Sequence, residues 1–335
     1  MASALAYGGA RMSAVPGSKP ATLLARLAEH GWVLVDLDAR AAARLVQPWL
    51  LIDGLLGMGA QLTEVQPIRP VPNARSFAAS TGAAPLHTDS QLWRGRPAEL
   101  QFTACLRPSE EGGESILVDG FAVAERVRCE SPALYRELLQ RPRCMRFVFG
   151  SVFGATLARR ADRYVFTHTP RPEPGDEVAR SLEATLAAQT PLVVRIGRGQ
   201  AMLVDNHRML HGRRSFCDPD RELLRILAWL ERPLGAAPSW AVDADQVQAR
   251  LAAELSQASA EVKRAFGLEG PPLGSVDAAV FAMLSGAPPG ALARRLGLPE
   301  AQLYRQRDRL ASGGPEAVGD PHDECMRRLE SLSSR

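Results

Sequence analysis

The sequence predicts a mainly β protein with helical inserts, of the sandwich, jelly-roll or barrel class, followed by a C-terminal α-helical extension. Between residues 99 and 230, seven short apolar runs are bounded by Gly, Pro or Asp, which is typical of strands joined by turns. Two stretches with helical periodicity, residues 121–139 and 176–189, interrupt these runs. After Pro233 the chain is rich in Ala and Leu and carries no strand pattern.

The region before these strands predicts two helices and a first strand. Residues 21–30 have apolar side chains at helical spacing, and Gly31 ends the helix. Residues 32–35 form a short apolar run suited to a buried strand, and residues 41–56 predict a second helix. Residues 66–85 are rich in Pro, Ser and Gly and predict a loop.

These changes of composition divide the chain into three parts. Residues 1–20 lack a basic segment followed by a long apolar run, so we expect a flexible leader and no secretion signal. Residues 21–235 form the predicted β-rich domain, and residues 236–335 form the helical extension. Within the extension, residues 288–310 resemble a helix-turn-helix, with a Gly turn and several arginines on the second helix.

The composition argues against several classes of partner. The formal net charge of +3 is small for 335 residues, and the chain from Trp240 onward has about 11 basic and 13 acidic residues. We therefore expect no nucleic-acid ligand. No apolar run approaches the roughly 20 residues that cross a bilayer. The five cysteines include no C-x-x-C pair, which predicts reduced thiols and a cytoplasmic protein.

A candidate metal site begins at His87-Thr88-Asp89. Side chains alternate along an extended segment, so His87 and Asp89 point to the same side and can bind one cation. The same pattern also occurs in ordinary surface loops, and a third ligand must come from elsewhere. The segment at residues 205–213, which follows the apolar run at residues 201–204, offers two histidines for that role, His207 and His211.

Taken together, the polar motifs of the β-rich region resemble the TauD/TfdA-like superfamily, which includes γ-butyrobetaine hydroxylase and clavaminate synthase. The matching elements, in the family's order, are His87-Thr88-Asp89, Gly112-Gly113-Glu114-Ser115, Asp205-Asn206, His211-Gly212-Arg213, Arg221 and Arg225. The resemblance covers about residues 21–233. It implies a double-stranded β-helix, which is a distorted jelly roll, with a metal near one mouth.

The resemblance implies a non-haem iron(II) centre, with His87, Asp89 and His211 as ligands and catalytic residues. Two histidines and one carboxylate on one face of an octahedron leave positions for 2-oxoglutarate and O2. His207, four residues before His211, competes for the role of third ligand. The presence of Asp89 argues for hydroxylation over halogenation, while desaturation, epoxidation and cyclisation use the same iron.

The resemblance also implies how the co-substrate binds. Arg221 would hold the distal carboxylate of 2-oxoglutarate, because a guanidinium offers a planar fork of donors that suits a carboxylate. Ser115 would donate its hydroxyl to the same group, at a position where the family commonly has Thr. The alternative for Arg221 is a salt bridge to Asp218 or Asp220.

Arg225 indicates the class of substrate. It lies four residues after Arg221 on a predicted strand, so both side chains leave the same face. In the taurine and amino-acid branches of the family an Arg at this place binds the acidic group of the substrate. The alternative is a structural salt bridge. Gln91 and Trp93, just after the metal motif, and His168 are further candidates to line the substrate pocket.

The sequence therefore predicts an oxidoreductase that depends on Fe(II) and 2-oxoglutarate and serves in specialised biosynthesis. Its substrate would be an amino-acid-like or other carboxylate- or sulfonate-bearing small molecule, either free or linked to a carrier protein or peptide. A function of another class, a ligand-sensing regulator, would bind DNA through residues 288–310. A third, a hydrolase, would hold zinc in the same ligands. We make no prediction of the oligomeric state.

Overall fold

The computed structural model describes residues 20–72, 74, 77–89, 96–147, 150–160, 162–170, 172–254, 293–294, 296–297, 299 and 302–303. The helices are α1 (Pro20–His30), α2 (Ala39–Ala43), α3 (Pro48–Leu56), α4 (Gly120–Glu130), α5 (Pro132–Gln140), α6 (Glu177–Ala187) and α7 (Ala241–Glu254). The strands are β1 (Trp32–Asp36), β2 (Ala60–Ile68), β3 (Ala84–His87), β4 (Leu100–Arg107), β5 (Ser115–Asp119), β6 (Arg143–Phe147), β7 (Gly150–Gly154), β8 (Leu157–Arg160), β9 (Arg163–Phe166), β10 (Leu192–Val194), β11 (Gln200–Asp205), β12 (Met209–Arg213) and β13 (Glu222–Leu230).

Two antiparallel sheets form the centre of the fold. The larger sheet has five strands in the order β1-β11-β4-β13-β2, and the smaller has four in the order β10-β5-β12-β3. Two hairpins, β6–β7 and β8–β9, lie outside these sheets. Side chains from both sheets, among them Leu117, Met202 and Leu223, meet in one buried apolar cluster. The sheets therefore pack face to face, as in the predicted jelly roll.

Helices cover the outer faces of both sheets. Leu27 of α1 and Ile52 of α3 are buried against the five-stranded sheet. Leu138 of α5 and Leu182 of α6 are buried against the four-stranded sheet, in a cluster that includes Leu210 of β12. Each such side chain contributes about 1.5–3 kcal/mol by leaving water. The result is four layers that hold the sheets, and the side chains between them, in place.

The balance of elements differs from the prediction. The described residues form a mixed α/β fold, with about as many residues in helices as in strands, instead of a mainly β fold with helical inserts. The helix predicted at residues 41–56 is interrupted by a 3-10 turn at Arg44–Val46, and α3 starts afresh at Pro48. Proline lacks the N–H that a continuous helix needs but suits a first turn. Strand β2 was not predicted, and it enters the segment predicted as a loop.

Helix α7 lies beyond residue 235, where we placed the start of the extension. Trp240, just before it, is fully buried and stacks edge-on against the rings of Phe121 and Tyr164. Asp243 accepts a hydrogen bond of 2.5 Å from the Tyr135 hydroxyl. This first part of the extension therefore shares a core with the β-rich domain.

Two other predicted segments fall wholly or largely outside the described residues. These are the leader, residues 1–19 of which are not described, and most of the helix-turn-helix-like segment 288–310. Across the part of the chain that is described, no helix combines the length and the apolar character needed to span a membrane.

Candidate metal centre

Three side chains of the predicted site converge between the sheets. His87 ends β3, Asp89 follows two residues later, and His211 lies in β12, directly opposite His87 in the strand register. One ligand atom from each lies within 4.8 Å of the other two, and the two imidazole centroids are 4.4 Å apart. Adjacent strands therefore bring together residues that are more than 120 positions apart in sequence.

Both imidazoles are suited to bind a cation. The Nδ1 of His87 donates to the carbonyl oxygen of Pro85 at 2.8 Å, since a carbonyl can only accept, and this leaves Nε2 with a free lone pair. Burial lowers the pKa of His87, against the opposing charge of Asp89. Burial, reinforced by His87, lowers the pKa of His211 to about 3. Both rings are therefore neutral near pH 7, which is the form that binds metals.

The carboxylate of Asp89 is ionised and well supported. Burial alone would raise its pKa, but the charge of Arg225, followed by the two histidines and a hydrogen bond from Gln101, holds the pKa below its usual value. The Nη1 of Arg225 lies 2.9 Å from both carboxylate oxygens, and the Nε2 of Gln101 donates to Oδ2 at 2.8 Å. Two neutral imidazoles and one carboxylate fit a divalent metal such as Fe(II).

The main chain of the ligand segment is tied to its neighbours on two sides. The Thr88 amide donates to the carbonyl of His168 at 3.1 Å, and the His168 amide donates to the Thr88 hydroxyl at 3.0 Å. The side-chain amide of Asn206 hydrogen-bonds to both the N–H and the carbonyl of Asp89, each at 2.8 Å. These contacts hold His87 and Asp89 in the extended conformation that aims both at one point.

Arg221, the predicted anchor for the co-substrate, is buried at the start of β13. Its Nη2 donates to the carbonyl of Gly113 at 3.2 Å, and its guanidinium lies 4.7 Å from the ring of Phe216. The alternative partners are engaged elsewhere, because Asp220 pairs with Arg107 at 2.9 Å and the Asp218 carboxylate accepts from the amide of Asp220. Among the described residues, no carboxylate forms an ion pair with Arg221.

Ser115 follows the Gly-Gly turn that Arg221 contacts. It is partly buried at the start of β5, two residues after Gly113, whose carbonyl accepts from Arg221. In the register of β5 and β12 it faces Arg213, two positions along from the pair of Leu117 with His211. Ser115 therefore lies two residues along β5 from the position that pairs with His211, on the same face of the sheet.

The remaining predicted residues are distributed as follows. Arg225 forms an ion pair with Asp89, which is a salt bridge of the kind named as its alternative role, and its Nη2 also donates to the side-chain oxygen of Gln66. The Nε2 of His207 hydrogen-bonds to the carbonyl of Pro97 at 2.9 Å, so its ring is turned away from the ligand cluster. Gln91 and Trp93 lie outside the described residues.

Gln101 and Asn206 also contact the candidate ligands, although the sequence predicted no role for either residue. Gln101 lies in the apolar run of β4. A polar side chain in such a run is expected to be buried and to need hydrogen-bond partners, so its position in the sequence could have indicated a role. Its Nε2 is 3.1 Å from the Nε2 of His211 in addition to its bond with Asp89. Asn206 was noticed as part of a motif, but its partner lies 117 residues away and could not be deduced.

The chain has clear relatives. Residues 58–194, which contain His87, Asp89 and Ser115, match the family model described as taurine catabolism dioxygenase TauD, TfdA family. A γ-butyrobetaine dioxygenase from Pseudomonas sp. (strain AK-1) is 34% identical over 171 residues, or 45% of this chain and 44% of the relative. This match therefore spans less than half of that relative. A uridine-5'-phosphate dioxygenase from Amycolatopsis sp. is 29% identical over 244 residues, or 62% of this chain and 88% of the relative.

Solved structures with a similar chain path include an asparagine oxygenase in complex with Fe(II), 2S,3S-3-hydroxyasparagine and succinate. It is 20% identical, with a TM-score of 0.48 over 65% of this chain and 86% of that chain. The PvcB protein from Pseudomonas aeruginosa is 18% identical, with a TM-score of 0.47 over 66% of this chain and 83% of that chain. Residues 58–194 are thus similar to the TauD, TfdA family of dioxygenases, and this stretch includes two of the three residues of the candidate ligand cluster.

Proposed function

We propose that this protein hydroxylates a small anionic, amino-acid-like molecule, using Fe(II) bound by His87, Asp89 and His211 and 2-oxoglutarate as co-substrate. The observation that carries the proposal is the convergence of these three side chains within 4.8 Å. Bound Fe(II) would supply the redox chemistry, in which O2 oxidises 2-oxoglutarate to succinate and CO2 and one oxygen atom enters a C–H bond of the substrate.

We assign the distal carboxylate of 2-oxoglutarate to Arg221 and Ser115. Burial lowers the pKa of Arg221. No carboxylate among the described residues pairs with this buried guanidinium, and an anionic ligand would offset the cost of burying its charge. The contact of the Arg221 side chain with Gly113, two residues before Ser115, supports a carboxylate shared by these two residues. A charge-assisted hydrogen bond contributes about 1.5–3 kcal/mol, so Arg221→Met should raise the Kd of 2-oxoglutarate by roughly tenfold to a hundredfold or more.

We assign the acidic group of the substrate to Arg225. Its guanidinium lies at the metal ligands, and its side chain is only 11% exposed. The Gln66 amide beside it offers a further hydrogen-bonding group at the same wall. One relative is named for uridine-5'-phosphate, which is a small molecule with an anionic group. A carboxylate or sulfonate held here would place the rest of the substrate next to the metal.

The test is a turnover screen that detects succinate across amino acids, sulfonates and acids linked to a carrier protein. Because Arg225 also bonds to Asp89, the constants are measured at saturating Fe(II). For the substrate found, Arg225→Met should then raise its KM while the Kd of 2-oxoglutarate stays within threefold, and Arg221→Met should do the reverse. Arg141→Met, at an arginine whose side chain is 61% exposed and lies away from the ligands, is the matched control and should change neither constant. Equal effects of the Arg221 and Arg225 variants on both constants would contradict the division of roles.

A hydrolase that holds zinc in the same three ligands is the competing function. A hydrolase would need no 2-oxoglutarate, so this hypothesis provides no anionic partner for the buried guanidinium of Arg221. Metal analysis of protein purified without O2, followed by addition of Fe(II) or Zn(II), separates the two. Activity restored by Fe(II) alone supports the oxygenase, and activity restored by Zn(II) without 2-oxoglutarate supports the hydrolase.

A further inference from the structure

Asn206 uses its whole side-chain amide to hold the main chain around a candidate metal ligand. It lies in the turn between β11 and β12 and is 1% exposed. Its Oδ1 accepts from the amide of Asp89 at 2.8 Å. Its Nδ2 donates to the carbonyl of Asp89 at 2.8 Å and to the carbonyl of Ala98 at 3.0 Å.

The residue type at this position follows from these contacts. One acceptor and two donors are needed in one plane, and among buried side chains a primary amide supplies that set. Aspartate at this position would keep the acceptor and lose both donors. Alanine would leave the Asp89 amide and two carbonyl groups buried without a partner, and each such group costs about 1–3 kcal/mol.

Asn206 also links the two halves of the candidate ligand set. It precedes His211 by five residues, and its own amide donates to the carbonyl of Glu99 at 2.8 Å. The turn that leads to His211 is therefore bonded to the segment that carries Asp89 and to the chain entering β4. A shift of this turn would move the third ligand and the carboxylate together.

We propose that Asn206 is a positioning residue that fixes the main chain of Asp89 and so aims its carboxylate at the metal. This inference rests on the ligand set of the proposed function. Partners that orient metal ligands commonly change metal affinity 10–100-fold when they are removed. The Asn206 side chain bonds to the ligand residue's main chain and not to its carboxylate, so it acts on geometry.

The experiment measures the Kd of cobalt(II) alone for the metal-free protein, by visible absorption and calorimetry, in wild type, Asn206→Ala and Asn206→Asp. Both variants should bind cobalt(II) at least tenfold more weakly. Asn206→Asp keeps the shape of the side chain and adds a negative charge, which by itself would attract a cation. Weaker binding by this variant therefore separates loss of the clamp from simple electrostatics.

Leu182→Ala, in the helical layer away from the ligands, is the control for general destabilisation and should leave the Kd within threefold. An Asn206→Asp variant that folds and binds cobalt(II) as tightly as wild type would overturn the proposal, and so would an equal loss of affinity in Leu182→Ala. His211→Ala should abolish binding. If wild type does not bind cobalt(II), or His211→Ala binds it normally, the ligand set itself fails, and the role of Asn206 fails with it.

Discussion

The carboxyl group of Asp205 should make the stability of this protein depend on pH in an unusual direction. Asp205 ends β11 and is buried, and its Oδ1 accepts from the amide of His207 at 3.0 Å. Burial, together with the nearby charge of Glu99 and against hydrogen bonds from the His207 and Arg208 amides, raises its pKa from 3.8 to about 7. Between these two values the folded protein binds a proton that the unfolded chain releases.

The sign follows from this difference in proton binding. The folded state binds more protons, so the contribution of Asp205 to the free energy of unfolding falls as the pH rises from about 4 to about 7. One pKa unit corresponds to about 1.4 kcal/mol. Above about pH 7, where Asp205 is ionised in both states, its burial therefore lowers the free energy of unfolding by roughly 4 kcal/mol. Between pH 5 and pH 8 this reduction in the free energy of unfolding should grow by about 2–3 kcal/mol.

Asp205→Asn removes the titration and keeps an acceptor for the His207 amide. We expect the free energy of unfolding of this variant, minus that of wild type, to increase by about 2–3 kcal/mol between pH 5 and pH 8. The assay is urea denaturation of the metal-free protein at several pH values. Leu182→Ala, which removes no titratable group, is the control, and its difference from wild type should not change with pH. A difference for Asp205→Asn that does not change with pH would refute the reasoning.

Three further predictions test other parts of the account. Gly113→Ala should lower the free energy of unfolding by about 1–2 kcal/mol in urea denaturation, because φ is +73° and an L residue pays about that amount there. The added Cβ would also lie 2.8 Å from the Oγ of Ser109 and 3.0 Å from the Nε of Arg221, and an unchanged free energy of unfolding would contradict the prediction. Trp240→Ala should lower the free energy of unfolding by about 3–5 kcal/mol in urea denaturation, since the ring is fully buried; a loss below 1 kcal/mol would contradict the packing of α7. Gln101→Ala should weaken cobalt(II) binding about tenfold without lowering the thermal midpoint to a matching degree, because its amide bonds to Asp89; an unchanged Kd would contradict that role.

The predictable parts of the fold are those set by local pattern. The apolar runs of β4, β11 and β13 and the helix ended by Gly31 were all found from periodicity. Strand β2 was missed because Pro67 and the prolines after it suggested a loop. It is an edge strand, paired only with β13 in the five-stranded sheet, and an edge strand tolerates proline.

In the candidate site, too, local sequence spacing predicts some residues, and contacts between distant segments determine the others. His87 and Asp89 could be paired from their spacing alone, since period two places them on one side. His211 needed the family's order of motifs, because its approach to His87 depends on strand register. The contact of Arg225 with Asp89 joins residues 136 positions apart, and the contacts of Gln101 and Asn206 are of similar range. Such pairings follow from the packed sheets and leave no trace in local sequence.

The central claim is that His87, Asp89 and His211 hold an iron that also binds 2-oxoglutarate. The most direct measurement adds Fe(II) and 2-oxoglutarate to the metal-free protein without O2 and records the visible spectrum. The account predicts a weak charge-transfer band that needs both additions, that disappears in His211→Ala, and that requires more 2-oxoglutarate in Arg221→Met. Folded wild-type protein that gives no band at saturating Fe(II) and 2-oxoglutarate would contradict the claim.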